Sequence, residues 1–121
     1  MRVYPYDVEG LDLKPFHITK EELLSRLLMK DSVCLYEKGT YIIVMQNRNG
    51  KIFCDVLEVT NVKKHLKALL SGVKEALELF MTDTFYLEMD KNNPHIKDNF
   101  YKNSEKVFEN SKKIVYRRVI K

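Results

Sequence analysis

The sequence predicts an α+β fold, an antiparallel-centred mixed sheet with a three-strand meander and packed helices. Three observations carry this. Runs rich in β-branched and aromatic residues at 32–37, 40–46 and 51–59 are joined by connections short enough for hairpins. Apolar residues between 62 and 81 recur at helical spacing. The chain then alternates strand, helix and strand to its end. Its 121 residues read as one domain, 1–121, large enough to bury a core without disulfides or metal.

Taken in order, residues 2–8 alternate weakly and suit a short edge strand, since Pro5 cannot donate to a ladder. Thr19 and Glu22 form a capping box, with Ile18 and Leu23 as a hydrophobic staple across it. The helix they start carries Leu23, Leu24, Leu27 and Leu28 on one face and should stop near Lys30. The first two strands, 32–37 and 40–46, meet at Lys38-Gly39. Asn47-Arg48-Asn49-Gly50 turns the second strand into the third, 51–59, because Asn and Gly tolerate positive φ. A long helix follows over 62–81, capped by Thr60 or Asn61, with Val62, Leu66, Leu69, Leu70, Val73, Leu77, Phe80 and Met81 on its apolar face. Gly72 inside it costs about 1 kcal/mol relative to Ala and marks close packing on the sheet. A fourth major strand is expected at 84–89. A helix is expected over 94–109, opened by Asn93-Pro94 and facing inward with Ile96, Phe100, Val107 and Phe108. The last strand spans 114–120.

Composition narrows the function classes. The net charge of +4 comes from 21 basic and 17 acidic residues, a mixed surface that tolerates an anionic partner without demanding nucleic acid. No apolar run approaches the roughly 20 residues that span a bilayer, and the N-terminus lacks a signal-peptide core, so the expectation is a cytoplasmic protein with no membrane partner. Cys34 and Cys54 sit inside apolar strands and read as buried thiols. Without a CxxC pair, and with His17, His65 and His95 scattered, no metal site is expected.

The order strand, helix, three-strand meander, long helix, strand, helix, strand resembles the GNAT superfamily of acyl-CoA-dependent N-acetyltransferases. The resemblance covers roughly residues 32–120. Its closest local match is Phe85-Tyr86-Leu87-Glu88-Met89, followed by Asn92-Asn93 and the helix to Phe108. The small size and Lys/Asn-rich composition look like short, phage-type members. The resemblance implies that acyl-CoA lies where the strand before the long helix splays from the next strand. The pyrophosphate would then meet Asn61, Val62, Lys63 and Lys64 at the helix start. Helix N-termini attract phosphate through free N–H groups and the helix dipole, and two lysines add charge. The family's glycines are missing from that loop. The resemblance also implies a Tyr that protonates the leaving thiolate, for which Tyr101 is the candidate, one residue past the family position at Phe100. Asp55 and Glu58 are acids on the third strand that can serve an amine as base, and Glu58 is the stronger candidate.

Three functions follow as expectations. The first is a degenerate GNAT-like domain of phage origin that binds a protein partner, either a host factor or a virion component. The second is an active acetyl-CoA-dependent N-acetyltransferase. The third is nucleic-acid binding by the basic C-terminus, where Lys112, Lys113, Arg117, Arg118 and Lys121 surround Tyr116.

Overall fold

The computed structural model describes residues 1–90 and 104–120. A seven-stranded mixed sheet, in the order β1-β2-β3-β4-β5-β7-β6, forms its centre. The edge strand β1 is Arg2–Val3. The chain does not stay extended to residue 8: Pro5 opens a 3₁₀ helix over Pro5–Gly10, where its fixed φ is already suited to a helical first turn. Helix α1, Lys20–Leu27, begins at the expected cap. The Thr19 hydroxyl accepts the Glu22 N–H at 3.1 Å, while the Glu22 carboxylate accepts from that hydroxyl at 3.2 Å.

Strands β2 (Ser32–Glu37), β3 (Tyr41–Arg48) and β4 (Lys51–Val59) form the antiparallel meander. Asn49 and Gly50 take φ of 56° and 87°, and the Asn47 side chain accepts the Gly50 N–H at 2.8 Å. That is the two-residue hairpin chemistry the sequence called for. The meander separates two cores. Tyr41, Ile43 and Met45 face helix α2 (Val62–Leu79), together with Leu69, Val73, Ala76, Leu77, Phe85 and Leu87. Ile42 and Val44 face the other way, onto Leu23 of α1 and the N-terminal segment with Val8, Leu11, Leu13, Phe16 and Ile18. Strict period-two alternation along β3 thus builds both layers at once.

Strand β5 (Thr84–Asp90) lies parallel to β4, and β7 (Lys113–Val119) lies antiparallel to β5. The last pairing overturns one expectation. Glu105–Glu109 is strand β6, paired antiparallel with β7, and not the end of a helix over 94–109. Val107 and Phe108 are exposed there, at 42% and 48%, rather than packed inward. Glu and Lys in this run favour a helix locally, but the free edge of β7 offers a ladder that local propensity cannot see. Residues 94–103 lie outside the described residues.

Two apolar faces also differ from expectation. Leu24 and Leu28 are exposed, because an eight-residue α1 buries only the row through Leu23, with Leu27 half-buried. On α2 the buried row is Leu69, Gly72, Val73, Ala76 and Leu77, while Val62 and Leu66 are 55% and 43% exposed and Met81 lies beyond the helix. Seven residues bring a 3.6-residue helix round to within about 20°, so Val62 and Leu66 point the same way as Leu69 and Val73. They differ in position along the axis, since packing on the core begins only at Ala68 and Leu69. No helix among the described residues is long and apolar enough to cross a membrane.

Candidate active site

The site grows from the junction of β4 with β5. A single registered pair, Phe53 with Tyr86, joins these two strands among the described residues. From Cys54 to Val59, β4 runs on without a β5 partner in the ladder, so the two strands part. Next to this opening β4 carries a bulge. Val44 pairs with Val56 and Met45 with Cys54, which leaves Asp55 as an extra residue. Bulges bend a strand and re-aim its side chains and backbone groups.

Asp55 is nearly buried, with its side chain 8% exposed between two cations. Arg48 Nη2 donates to Asp55 Oδ1, and Arg26 Nη1 of α1 lies 3.8 Å from Asp55 Oδ2. Arg48 is fixed on two further sides. Its Nε donates to Gln46 Oε1 at 3.0 Å, and its guanidinium lies 4.9 Å from the centroid of the Phe53 ring. Gln46 is buried and donates from Nε2 to the Lys30 carbonyl at 3.3 Å.

Glu58 lies on the α1 side of β4, with its side chain 23% exposed. Both of its carboxylate oxygens accept the His17 backbone N–H, at 2.9 and 3.0 Å. Oε1 is also 2.9 Å from His17 Nδ1. In the tautomer that carries its proton on Nδ1, the imidazole donates to this carboxylate and leaves Nε2 as an acceptor on a side chain that is 96% exposed. Glu58 orients a base as well as being a candidate for one. Sequence alone gave no sign of this, since 41 positions separate the two residues.

The other end of β4 leads into α2. Asn61 takes the left-handed conformation, φ 46°, and its side-chain oxygen accepts the Lys64 N–H at 3.4 Å. Asn tolerates this conformation at small cost, so one backbone role that glycine would serve is filled here by Asn61. Behind it, His65 Nδ1 sits 2.7 Å from the Thr60 carbonyl, and the Thr60 hydroxyl donates to the Gly39 carbonyl, which ties the turn to the β2–β3 hairpin. Asn61, Val62, Lys63 and Lys64 are all exposed. The first N–H groups of α2, on Val62 and Lys63, have no carbonyl one turn back to bond. No acid stands in this first turn, where an acid would favour the helix dipole, and two lysines stand there instead. An uncompensated positive end is suited to an anion. The four residues expected at the loop are thus together and accessible. Tyr101 lies outside the described residues.

The basic C-terminus does not form one patch. Arg117 points to the α1 side of the sheet and pairs with Glu105. Tyr116 and Ile120 pack towards the α2 core, on the opposite face of β7. Arg118 shares that face by alternation, and partial burial lowers its pKa. Lys121 lies outside the described residues. Among the described residues no group of three or more His, Cys, Asp or Glu is placed to hold a metal ion.

The fold as a whole is matched in solved structures. The PaiA N-acetyltransferase of Thermoplasma acidophilum, solved in complex with coenzyme A, superposes with TM-score 0.61 at 14% identity over 97% of this chain and 95% of its own. A GNAT-family protein of Desulfovibrio desulfuricans gives 0.63 at 15% identity, over 100% and 98% of the two chains. An acyl-CoA N-acyltransferase of Pseudomonas aeruginosa gives 0.61 at 13%, over 98% and 97%. The chain has the GNAT fold. At these identities the likeness is one of fold. No protein-family model matches the sequence, and no curated protein matches it either. Within the GNAT fold of this chain, Asp55, Glu58 and Asn61–Lys64 all lie along the parted half of β4 and the turn that follows it.

Proposed function

We propose that the chain binds acyl-CoA in the β4–β5 opening and transfers the acyl group to an amine, as an N-acyltransferase. The observation that carries this reading is the opening itself, with one β4–β5 rung and an exposed, anion-suited helix start at its end. That two of the superposing proteins are acyltransferases, one of them holding coenzyme A, supports it. The exposed start of α2 fits the pyrophosphate: the Val62 and Lys63 N–H groups can donate to it, and Lys63 and Lys64 supply charge. Bound acyl-CoA would supply an acyl carbon activated as a thioester. Unladdered backbone N–H groups of β4 beyond Phe53 would be the donors that polarise its carbonyl. His17 Nε2, on a ring held by Glu58, would take the proton that an acceptor ammonium must lose. Tyr101 remains the candidate acid for the departing thiolate.

The test is a melting curve with and without acetyl-CoA. Specific binding to the native state raises the melting temperature by mass action. No shift at ~1 mM, the upper end of the ~1 μM–1 mM span of common substrate constants, would reject the enzyme reading. The phage-type domain that binds a protein partner would then take its place.

A further inference from the structure

Among the described residues, the α1 side of the sheet is covered only on its β1–β4 half, where α1 and the N-terminal segment pack. Beyond α1 lies a trough floored by β4, β5 and β7. Two depressions of about 410 and 550 Å³ make it up, and they share Phe53, Glu88 and Lys113, so they are continuous. Arg26 of α1 stands on one bank, and Val107 and Phe108 of β6 stand on the other.

The floor is aromatic and each ring carries a cation. Phe53 stacks on Tyr86 with centroids 5.5 Å apart. Arg48 lies over Phe53 at 4.9 Å, Lys51 over Tyr86 at 5.4 Å and Lys113 over Phe108 at 5.9 Å. Arg117 completes the row. Acids alternate with these cations. Lys113 Nζ is 3.2 Å from Glu88 Oε1, and Arg117 pairs with Glu105. Both pairs are solvent-exposed, so each is weak and gives way readily to another carboxylate.

Two ligand chemistries suit a basic and aromatic sheet face, and the details separate them. A single-stranded nucleic acid needs open ring faces for its bases and a backbone track free of acids. Here the rings already carry cations, and Glu88 and Glu105 interrupt the track. An extended peptide with spaced carboxylates meets the cations singly and needs no open ring face. The trough ends at the bulge and the parted strands, where Asp55 and Arg48 stand. We propose that this trough is the acceptor groove and that the acceptor is an acidic peptide, its amine at the β4–β5 opening and its carboxylates along Arg48, Lys51, Lys113 and Arg117. This rests on the N-acyltransferase reading above.

The experiment measures anisotropy of three fluorescent probes on the full chain: a short Glu/Phe peptide, the matching Lys/Phe peptide and a short oligo-dT. The double variant Lys51→Glu/Arg117→Glu is run beside the native chain. Both side chains are exposed, so the fold should survive, and Lys51→Gln/Arg117→Gln serves as the milder variant. The Glu/Phe peptide should bind, the Lys/Phe peptide should not, and charge reversal should weaken binding about tenfold or more, the neutral variant less. Equal binding of both peptides, tighter binding of oligo-dT or no effect of charge reversal overturns the proposal. The acetyl-CoA melting shift is read on the same samples. A retained shift without peptide binding removes the acidic acceptor and leaves the acyltransferase reading standing. Peptide binding without a shift removes that reading, and the acceptor role falls with it.

Discussion

A β-carbon built on Gly72 would lie 2.9 Å from Cζ of Tyr41, closer than such atoms approach in folded proteins. Helix α2 therefore rests its backbone on the ring of β3, and Gly72 is the residue that permits it. Gly72→Ala gains about 1 kcal/mol of helix propensity but overpacks a buried contact, which costs about 1–3 kcal/mol. The expected net is a loss of about 1 kcal/mol, read as a lower urea midpoint. A rise in the midpoint would show that Tyr41 and Ile43 yield freely.

Leu77 and Leu66 lie on the same helix but differ in burial, at 1% and 43% exposed. Leu77→Ala should cost about 2–5 kcal/mol, from lost transfer energy plus a cavity. Leu66→Ala should cost less than about 1 kcal/mol, as exposed positions do. Equal losses would mean that the buried row has been drawn wrongly.

The same row shows what the sequence could reveal. The strand bounds 32–37 and 51–59, the Thr19 cap and the Asn49-Gly50 turn were legible because each is decided by neighbours in sequence. The buried face of α2 was only partly legible, since Gly72 and Ala76 lie at its centre and carry almost no hydrophobic signal. Strand β6 was hidden because its partner β7 decides it. At the site, the loop Asn61–Lys64 could be found from local cap chemistry. The bulge at Asp55, the lone β4–β5 rung and the His17–Glu58 contact depend on pairings distant in sequence, and no spacing announces them.

Burial pushes the Cys34 thiol up from an ordinary 9.0 to about 12. Burial also pushes Cys54 up, with the charge of Asp55 adding to it. In the unfolded chain both thiols ionise from about pH 9, whereas in the folded chain they stay neutral. Their contribution to stability is therefore fully present below pH 9 and is lost as pH climbs towards 12. Tyr41, raised from 10.0 mainly by burial, acts in the same sense. Urea midpoints should fall steadily above pH 9. Iodoacetamide at neutral pH should label neither cysteine until urea unfolds the chain.

Glu58→Ala removes the acceptor for the His17 N–H and imidazole. Stability should drop by about 1 kcal/mol, with faster amide exchange at His17. If exchange at His17 is unchanged, the carboxylate does not hold that loop.

Lys63→Glu/Lys64→Glu replaces two attractions with two repulsions beside a phosphate-bearing ligand. Both side chains are exposed, and acids in the first turn suit the α2 dipole, so the variant should melt no lower than the native chain. Its acetyl-CoA melting shift should nevertheless shrink or vanish. A full shift in this variant would place the pyrophosphate elsewhere.

Phe53 and Tyr86 form the lone rung between β4 and β5 among the described residues, so little backbone bonding crosses from one half of the sheet to the other. Phe85 and Leu87 of β5 share one core with Val73 and Leu77 of α2, and that core is what crosses instead. A ladder sets spacing in fixed steps, whereas apolar contact is non-directional and lets its surfaces slide. The two halves thus meet along a spine whose angle is set by apolar contact and not by a ladder. Such a spine also slackens in the cold, when hydrophobic cohesion weakens and the ladders on either side persist.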